Sequence, residues 1–332
     1  MTQPTQEHPF APYIRILGKG RKGSRGLSYD EMQDAMRMIM QEDVEPIQLG
    51  AFLMLMRVKE ESAEEVAAAV SVIRETLEFP DDLPTVDLDW SSYAGKKRIL
   101  PWFLLSCLNL AEHGIRTFMH GASGHTEGRI YSKDILPQLG IPVATSLTEA
   151  ASQIAQSNFS YIDLEHLSPK LHEIIEMRPL LGLRSPVHTI ARMLNPFAAD
   201  YMMQGIFHPG YRPTHQEAAL LLNQPHMVVF KGEGGEIERN PDQAVLLQAV
   251  HQGEMSEEEW PAMFSKRHTR EDEMDVNQLK QIWRGEREDE YAEAAVIGTM
   301  AITLYMMGRA DDRSSAEAMA RTMWRARDRQ RI

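Results

Sequence analysis

The residues best suited to chemistry fall in a few stretches of the chain. Leu17 to Gly26 reads LGKGRKGSRG, where glycines let the backbone approach a ligand and Lys19, Arg21, Lys22 and Arg25 can neutralise phosphate. A solvated basic loop is the plain alternative. Asp87 to Arg98 reads DLDWSSYAGKKR, after a strand-like run and before a helix starting near Leu100. Loops in that position hold phosphates through N–H groups at the helix N-terminus, and Ser91, Ser92, Lys96, Lys97 and Arg98 are suitable donors. An ordinary strand-to-helix connection is the competing reading. Met119 to Arg129, MHGASGHTEGR, puts His120 and Gly121 at the carboxyl end of a strand, where open α/β sheets bind ligands. His120 equally suits a hydrogen-bonded core imidazole.

Two further stretches carry charge. Arg184, His188 and Arg192 follow one another at i, i+4 and i+8, and no acid occurs from Met177 to Ala199. On a helix this spacing presents two guanidiniums and an imidazole on one face, suited to a phosphorylated or polyanionic partner or to a surface salt-bridge ladder. Lys231 to Pro241, KGEGGEIERNP, offers Glu233, Glu236 and Glu238 as magnesium ligands through bridging phosphates, or a solvated acidic turn. The chain has no serine nucleophile elbow, no H-E-x-x-H helix and no G-x-x-x-x-G-K-[ST] loop, so nothing nominates a covalent nucleophile.

The elements that position these residues change character along the chain. Ser28 with Glu31 and Ser62 with Glu65 are capping boxes, and Pro46 suits a first helical position. Helices are expected near 29–42, 46–57 and 63–78, each with an apolar stripe. Beyond residue 84, β-like runs at Thr85–Leu88, Ile115–Met119, Pro142–Thr145, Phe159–Ile162 and Met227–Phe230 alternate with helical stretches. That alternation predicts an α/β fold with a mostly parallel sheet. The helical stretch from Pro169 to Leu222 is too long for one crossover, so part of it is expected to rejoin the N-terminal helices.

Composition narrows the partners. The 332 residues carry a net charge of −13, which rules out nucleic-acid binding by overall basicity and demands a focused patch. Residues 254 to 293 hold 13 Asp/Glu against 6 Lys/Arg and read as a solvated helical face. The lone Cys107, inside LLSCLNL, reads as a core residue. No apolar stretch is long enough to span a bilayer and the N-terminus is unlike a secretory signal, so a cytoplasmic protein with no membrane contact is expected.

With these motifs in place, the chain resembles the anthranilate phosphoribosyltransferase family, or glycosyl transferase family 3. The resemblance rests on I-R-x-L-G-K-G (Ile14 to Gly20), on the H-G turn (His120, Gly121), and on R-x-x-L-G-x-R-[ST] followed by N-P (Arg178, Leu181, Gly182, Arg184, Ser185, Asn195, Pro196). It implies a small discontinuous α-helical dimerisation domain (10–82 with 168–198) and a larger α/β domain (83–167 with 199–332) of the nucleoside phosphorylase and phosphoribosyltransferase type, with a cleft between them. The family's G-T-G-G-D loop is replaced by Asp89-Trp90-Ser91-Ser92-Tyr93. Its K-H-G-N-R becomes Met119-His120-Gly121-Ala122-Ser123, and its Asp-Glu metal pair becomes Glu236-Ile237. Loss of preorganised donors costs roughly 3 kcal/mol of barrier each, so ordinary anthranilate transfer is not expected. Arg178, aligned with an acceptor-site arginine, and His120 read as relics of that site.

The S-Y-x-G-x-(K/R)-(K/R) loop and the R-S-x-x-H-T helix look closer to a divergent subgroup that binds nucleic acid. The leading expectation is a homodimer binding a phosphate-rich ligand such as DNA or RNA in a basic interdomain groove. The alternative is a genuine phosphoribosyl or glycosyl transferase with another acceptor, using magnesium at Glu233 and Glu236. A third reading is a scaffold that kept only the family's dimer and meets a partner through residues 254 to 293.

Overall fold

The computed structural model describes residues 6–124, 126–269 and 274–332. His125, part of the glycine-rich turn singled out above, lies outside the described residues. The chain divides into two compact units, residues 1–77 with 168–194 and residues 78–167 with 195–332.

The first unit is helical, and its boundaries follow local signals. Helix Tyr29–Met40 starts at the Ser28/Glu31 capping box and helix Ala63–Glu75 at the Ser62/Glu65 box, each satisfying backbone donors reciprocally. Between them, Pro46 opens helix Pro46–Lys59. The segment 168–194 adds helices Pro169–Glu176 and Val187–Arg192, and Arg74 ties it down by donating from Nε to the Leu194 carbonyl at 2.6 Å.

The second unit holds one seven-stranded sheet in the order β3-β2-β1-β4-β5-β6-β7. The strands are β1 (Leu88–Ser92), β2 (Thr117–Gly121), β3 (Phe159–Asp163), β4 (Tyr201–Ile206), β5 (His226–Lys231), β6 (Val245–His251) and β7 (Glu254–Trp260). β1 to β5 pair in parallel, and β6 and β7 add antiparallel. Helix Phe103–Glu112, which contains buried Cys107, packs against helix Glu290–Met306 on one face of this sheet. Among the described residues no helix is long and apolar enough to cross a membrane.

Several expected elements are corrected. The strand expected at Thr85–Leu88 lies at Leu88–Ser92, because Asp89, Ser91 and Ser92 are buried strand residues that look like loop from their polarity. Pro142–Thr145 supplies only the isolated bridge Ala144–Ile162. The stretch 169–222 contains β4, whose Met-Met-Gln composition gives little strand signal and which is set instead by pairing on both sides. Residues 254–260, expected on a solvated helix, form the sheet-edge strand β7. Its glutamates are of the kind that blunts edge-to-edge pairing.

Gly205 and Gly232 bring the carboxyl ends of β4 and β5 into close contact with the turn after β5, and Gly121 lets β2 approach the end of β1. A Cβ on Gly121 would lie 2.1 Å from the Ser92 carbonyl oxygen, one on Gly205 2.4 Å from the Glu236 carbonyl carbon, and one on Gly232 1.6 Å from the Glu236 oxygen. Gly232→Ala should therefore cost at least about 4 kcal/mol in urea unfolding. Gly140→Ala, in open space at φ +78°, should cost only about 1–2 kcal/mol. Equal losses for the two variants would show that the turn does not need this approach.

Candidate functional site: an anion cradle filled by the chain's own carboxylates

In the α/β unit the backbone after β1 turns so that the N–H groups of Ala94 and Gly95 converge, Gly95 taking φ +66°. Both N–H groups donate to one oxygen of Glu236, at 2.7 and 2.6 Å. Eight residues on, the N–H of Phe103, the first residue of its helix, donates to Glu238 at 2.9 Å. These are the positions where the sequence suggested phosphate, and carboxylates of the β5–β6 turn fill them.

The remaining charge is neutralised inside the protein. Lys96 Nζ lies 2.7 Å from the other Glu238 oxygen and 3.1 Å from the Glu233 carbonyl, with the Lys96 side chain 2 % exposed and Glu238 0 %. Burial pushes the Glu238 carboxyl up, opposed by Lys96 and by the Phe103 N–H. Arg129 closes the loop from outside, donating to the carbonyls of Ala94, Gly95 and Gly234. Glu233 is held by Asn240, whose amide donates to it at 2.7 Å. At the metal site expected from Glu233 and Glu236, one Glu236 oxygen accepts the Ala94 and Gly95 N–H groups and one Glu233 oxygen accepts the Asn240 amide, so a bound ion would compete with these donors. Among the described residues no group of three His, Cys, Asp or Glu side chains could hold an ion.

His120 is fully buried, with Nδ1 2.8 Å from the Tyr93 hydroxyl, Nε2 3.4 Å from Asp89, and its ring stacked on Phe118. It is a hydrogen-bonded core imidazole with no exposed surface to meet an acceptor. Gly121 is buried as well, and its missing side chain serves strand packing. Behind it Tyr161 donates to Asp163 at 3.2 Å, and burial raises the phenol well above its usual range.

The other expected ligand residues separate into two groups. Ser91, Ser92 and Lys96 are buried, Ser92 bonding to Ser132 at 2.8 Å, whereas Lys97 and Arg98 are exposed. In the helical unit the Arg184–His188–Arg192 face is not formed as expected. The helix begins only at Val187, so Arg184 precedes it, and His188 and Arg192 are buried, with Arg192 donating to the His188 carbonyl at 2.6 Å. Arg178 is half-buried in the turn Arg178–Leu181. Lys19, Arg21 and Lys22 are exposed; Arg25 forms a two-pronged pair with Glu31 at 2.5 and 2.6 Å, which holds the Glu31 carboxyl down to about 2. Sequence reasoning missed the Glu236 cradle and the Lys96–Glu238 pair. The run of alternating glutamates and glycines at 232–238 is the one signal that pointed to that turn.

Comparison with known proteins is consistent with this architecture. Residues 11–77 match the helical bundle domain of the glycosyl transferase family. An uncharacterized protein of Aquifex aeolicus is 29% identical over 239 residues, 70% of this chain and 72% of that protein. The anthranilate phosphoribosyltransferase of Burkholderia mallei is 28% identical over 241 residues, 71% of this chain and 69% of its own. Among solved structures, the Thermus thermophilus anthranilate phosphoribosyltransferase matches with a TM-score of 0.79 at 20% identity, covering 96% of this chain and 94% of that one. The Saccharomyces cerevisiae enzyme in complex with PRPP and Mg matches with a TM-score of 0.79 at 16% identity, covering 96% and 93%.

If the cradle is structural, Lys96→Met should strand the Glu238 carboxylate and cost about 3–5 kcal/mol in urea unfolding. The double variant Lys96→Met/Glu238→Gln should recover part of that loss. Unchanged stability in Lys96→Met would mark Lys96 as a ligand-binding residue instead. With its sheet, helical bundle and homologues together, the chain has the fold of anthranilate phosphoribosyltransferase, with a glycosyl-transferase-family bundle at residues 11–77.

Proposed function

We propose that this protein is a non-transferring relative of anthranilate phosphoribosyltransferase that binds a phosphate-rich polymer, a nucleic acid, through exposed cations of its basic loop. The observation that carries the reading is the placement of Glu236 and Glu238. A diphosphate arriving at Ala94, Gly95 and Phe103 meets carboxylates already hydrogen-bonded there, and like charge opposes its entry. Phosphate recognition then falls to the surface. Lys19, Arg21 and Lys22 provide it in a loop where Gly20, at φ +88°, allows a tight turn, and Lys97 and Arg98 add exposed charge on the other unit. On a chain of net charge −13 such a patch must act locally, so binding will be strongly salt-dependent.

A second reading, phosphoribosyl transfer, draws support from the 28% identical transferase and from the yeast structure that holds PRPP and Mg. In it a bound ion would compete with the Ala94 and Gly95 N–H groups for Glu236 and with Asn240 for Glu233.

The polymer reading also includes a twofold assembly. On the helical unit Ile47, Val58 and Leu180 are 82%, 79% and 88% exposed, and Met38, Met40, Met54 and Leu55 are half-buried. A second copy covering that surface would place two basic loops on one particle and raise avidity.

Sedimentation with fluorescent single- and double-stranded oligonucleotides tests polymer and dimer together. The expected result is a complex of a dimeric protein that dissociates steeply as salt rises. The variant Lys19→Glu/Arg21→Glu/Lys22→Glu should remain folded and lose binding. A monomer that ignores every oligonucleotide at low salt, or calorimetric binding of PRPP with magnesium, would overturn the proposal.

A further inference from the structure

At the end of the sheet remote from the cradle, where β5 begins and β6 ends, a cavity of about 400 Å³ lies between the antiparallel pair β6–β7 and the last turns of helix Glu290–Met306. Val228, Leu247, Ala249, Ile302 and Met306 give it apolar walls, and Glu254 and Glu258 stand on the β7 side. We propose that this cavity binds a small organic cation, a compact apolar body bearing one ammonium group. The ammonium would meet the Glu258 carboxylate, and the apolar body would cover Leu247 and Ile302.

The charged groups on the surrounding elements give the sign of the ligand. Among the described residues no lysine or arginine lines the cavity. Glu258 accepts the indole N–H of fully buried Trp260 at 3.0 Å and the Tyr305 hydroxyl. Both donors are neutral, so they aim the carboxylate without cancelling its charge. Glu254 is exposed. His251, from β6, meets His226 with the two Nδ1 atoms 2.8 Å apart, and Asp200 acts on His226. Such a contact needs one N–H facing one bare lone pair, so the two rings together carry at most one positive charge. The C-terminal end of helix Glu290–Met306 adds partial negative charge. Beyond it, Arg309 acts on Asp87 and Arg313 on Arg239, while Asp311 is exposed and Asp312 acts on Tyr305. Glu257 and Glu259 alternate onto the other face of β7. The balance around the cavity is negative.

Shape gives the rest. Leu247 and Glu258 are partners across the β6–β7 ladder, which sets an apolar side chain beside the carboxylate on one face of the sheet. Tyr305 packs on Trp260 with ring centroids 5.5 Å apart, so both donors to Glu258 brace one another. Of the methionines lining the cavity, Met255 is 54% exposed and Met306 half-buried, apolar surface that an occupant would remove from water. The volume lies at the lower end of small-molecule sites and fits one ring or short branched chain with its ammonium group, far less than a polymer segment. A neutral occupant would leave Glu258 without a counter-charge, and an anion would meet like charge.

Methionine-methyl NMR on the full chain, titrated with phenethylamine, tests the site, because Met255 and Met306 report from its lining. Both methyl signals should shift and saturate at millimolar probe. Phenylethanol, which lacks the charge, phenylpropionate, which reverses it, and methylamine, which lacks the apolar body, should each bind at least roughly tenfold more weakly. Glu258→Gln, at an exposed position, keeps an acceptor for Trp260 and removes the charge. It should fold normally and weaken phenethylamine by a similar factor while leaving phenylethanol unchanged. No saturable shift at Met255 and Met306, any of the three controls matching phenethylamine, or unchanged affinity in Glu258→Gln would overturn the assignment.

Discussion

Backbone N–H groups that converge at a turn or open a helix present partial positive charge, and in a buried place that charge must be met. In this chain Glu236 meets it at Ala94 and Gly95, and Glu238 meets it at Phe103. Much of the α/β unit answers to that arrangement. Gly205 and Gly232 lack side chains so that the Glu236 backbone can approach, Lys96 is buried to balance Glu238, and Arg129 gathers the carbonyls left on the outer side of the loop. A buried ion pair adds little net stability over an apolar pair of the same shape, but breaking it by removing one partner is costly. The pair thus ties the Lys96 loop to the glycine-rich turn at 232–238.

This arrangement separates fold from chemistry. The sheet order, the helical bundle and the similarity to anthranilate phosphoribosyltransferases describe the scaffold, while the chemistry depends on what the loops at the carboxyl ends of the strands leave accessible. Here they leave little. His120 is enclosed by Tyr93, Asp89 and Phe118, and the carboxylates that would meet a metal face backbone and amide donors. Exposed cations include those of the loop from Lys19 to Lys22, Lys97 and Arg98 beside the cradle loop, and Lys231 at the end of β5.

What the sequence made legible was local. Ser28 with Glu31 and Ser62 with Glu65 announce helix starts because the partners are three residues apart, and both capping boxes form. β3 and β5 were visible as short apolar runs. β7 was not, since an edge strand needs no apolar face and its glutamates read as a helix surface. The candidate site failed to show for a related reason: Lys96 and Glu238 are 142 positions apart, and a lysine in a K-K-R run looks solvated until a distant carboxylate buries it. The spacing of Arg184, His188 and Arg192 was a true helical spacing applied to a helix that starts only at Val187.

The claim on which the functional account turns is that the Ala94 and Gly95 N–H groups belong to Glu236. Amide hydrogen exchange at those two residues measures this directly. Both amides should be strongly protected in the protein alone, and PRPP with magnesium should leave their protection and chemical shifts unchanged. Rapid exchange in the protein alone, slowed when PRPP and magnesium are added, would show an open phosphate cradle and contradict the account.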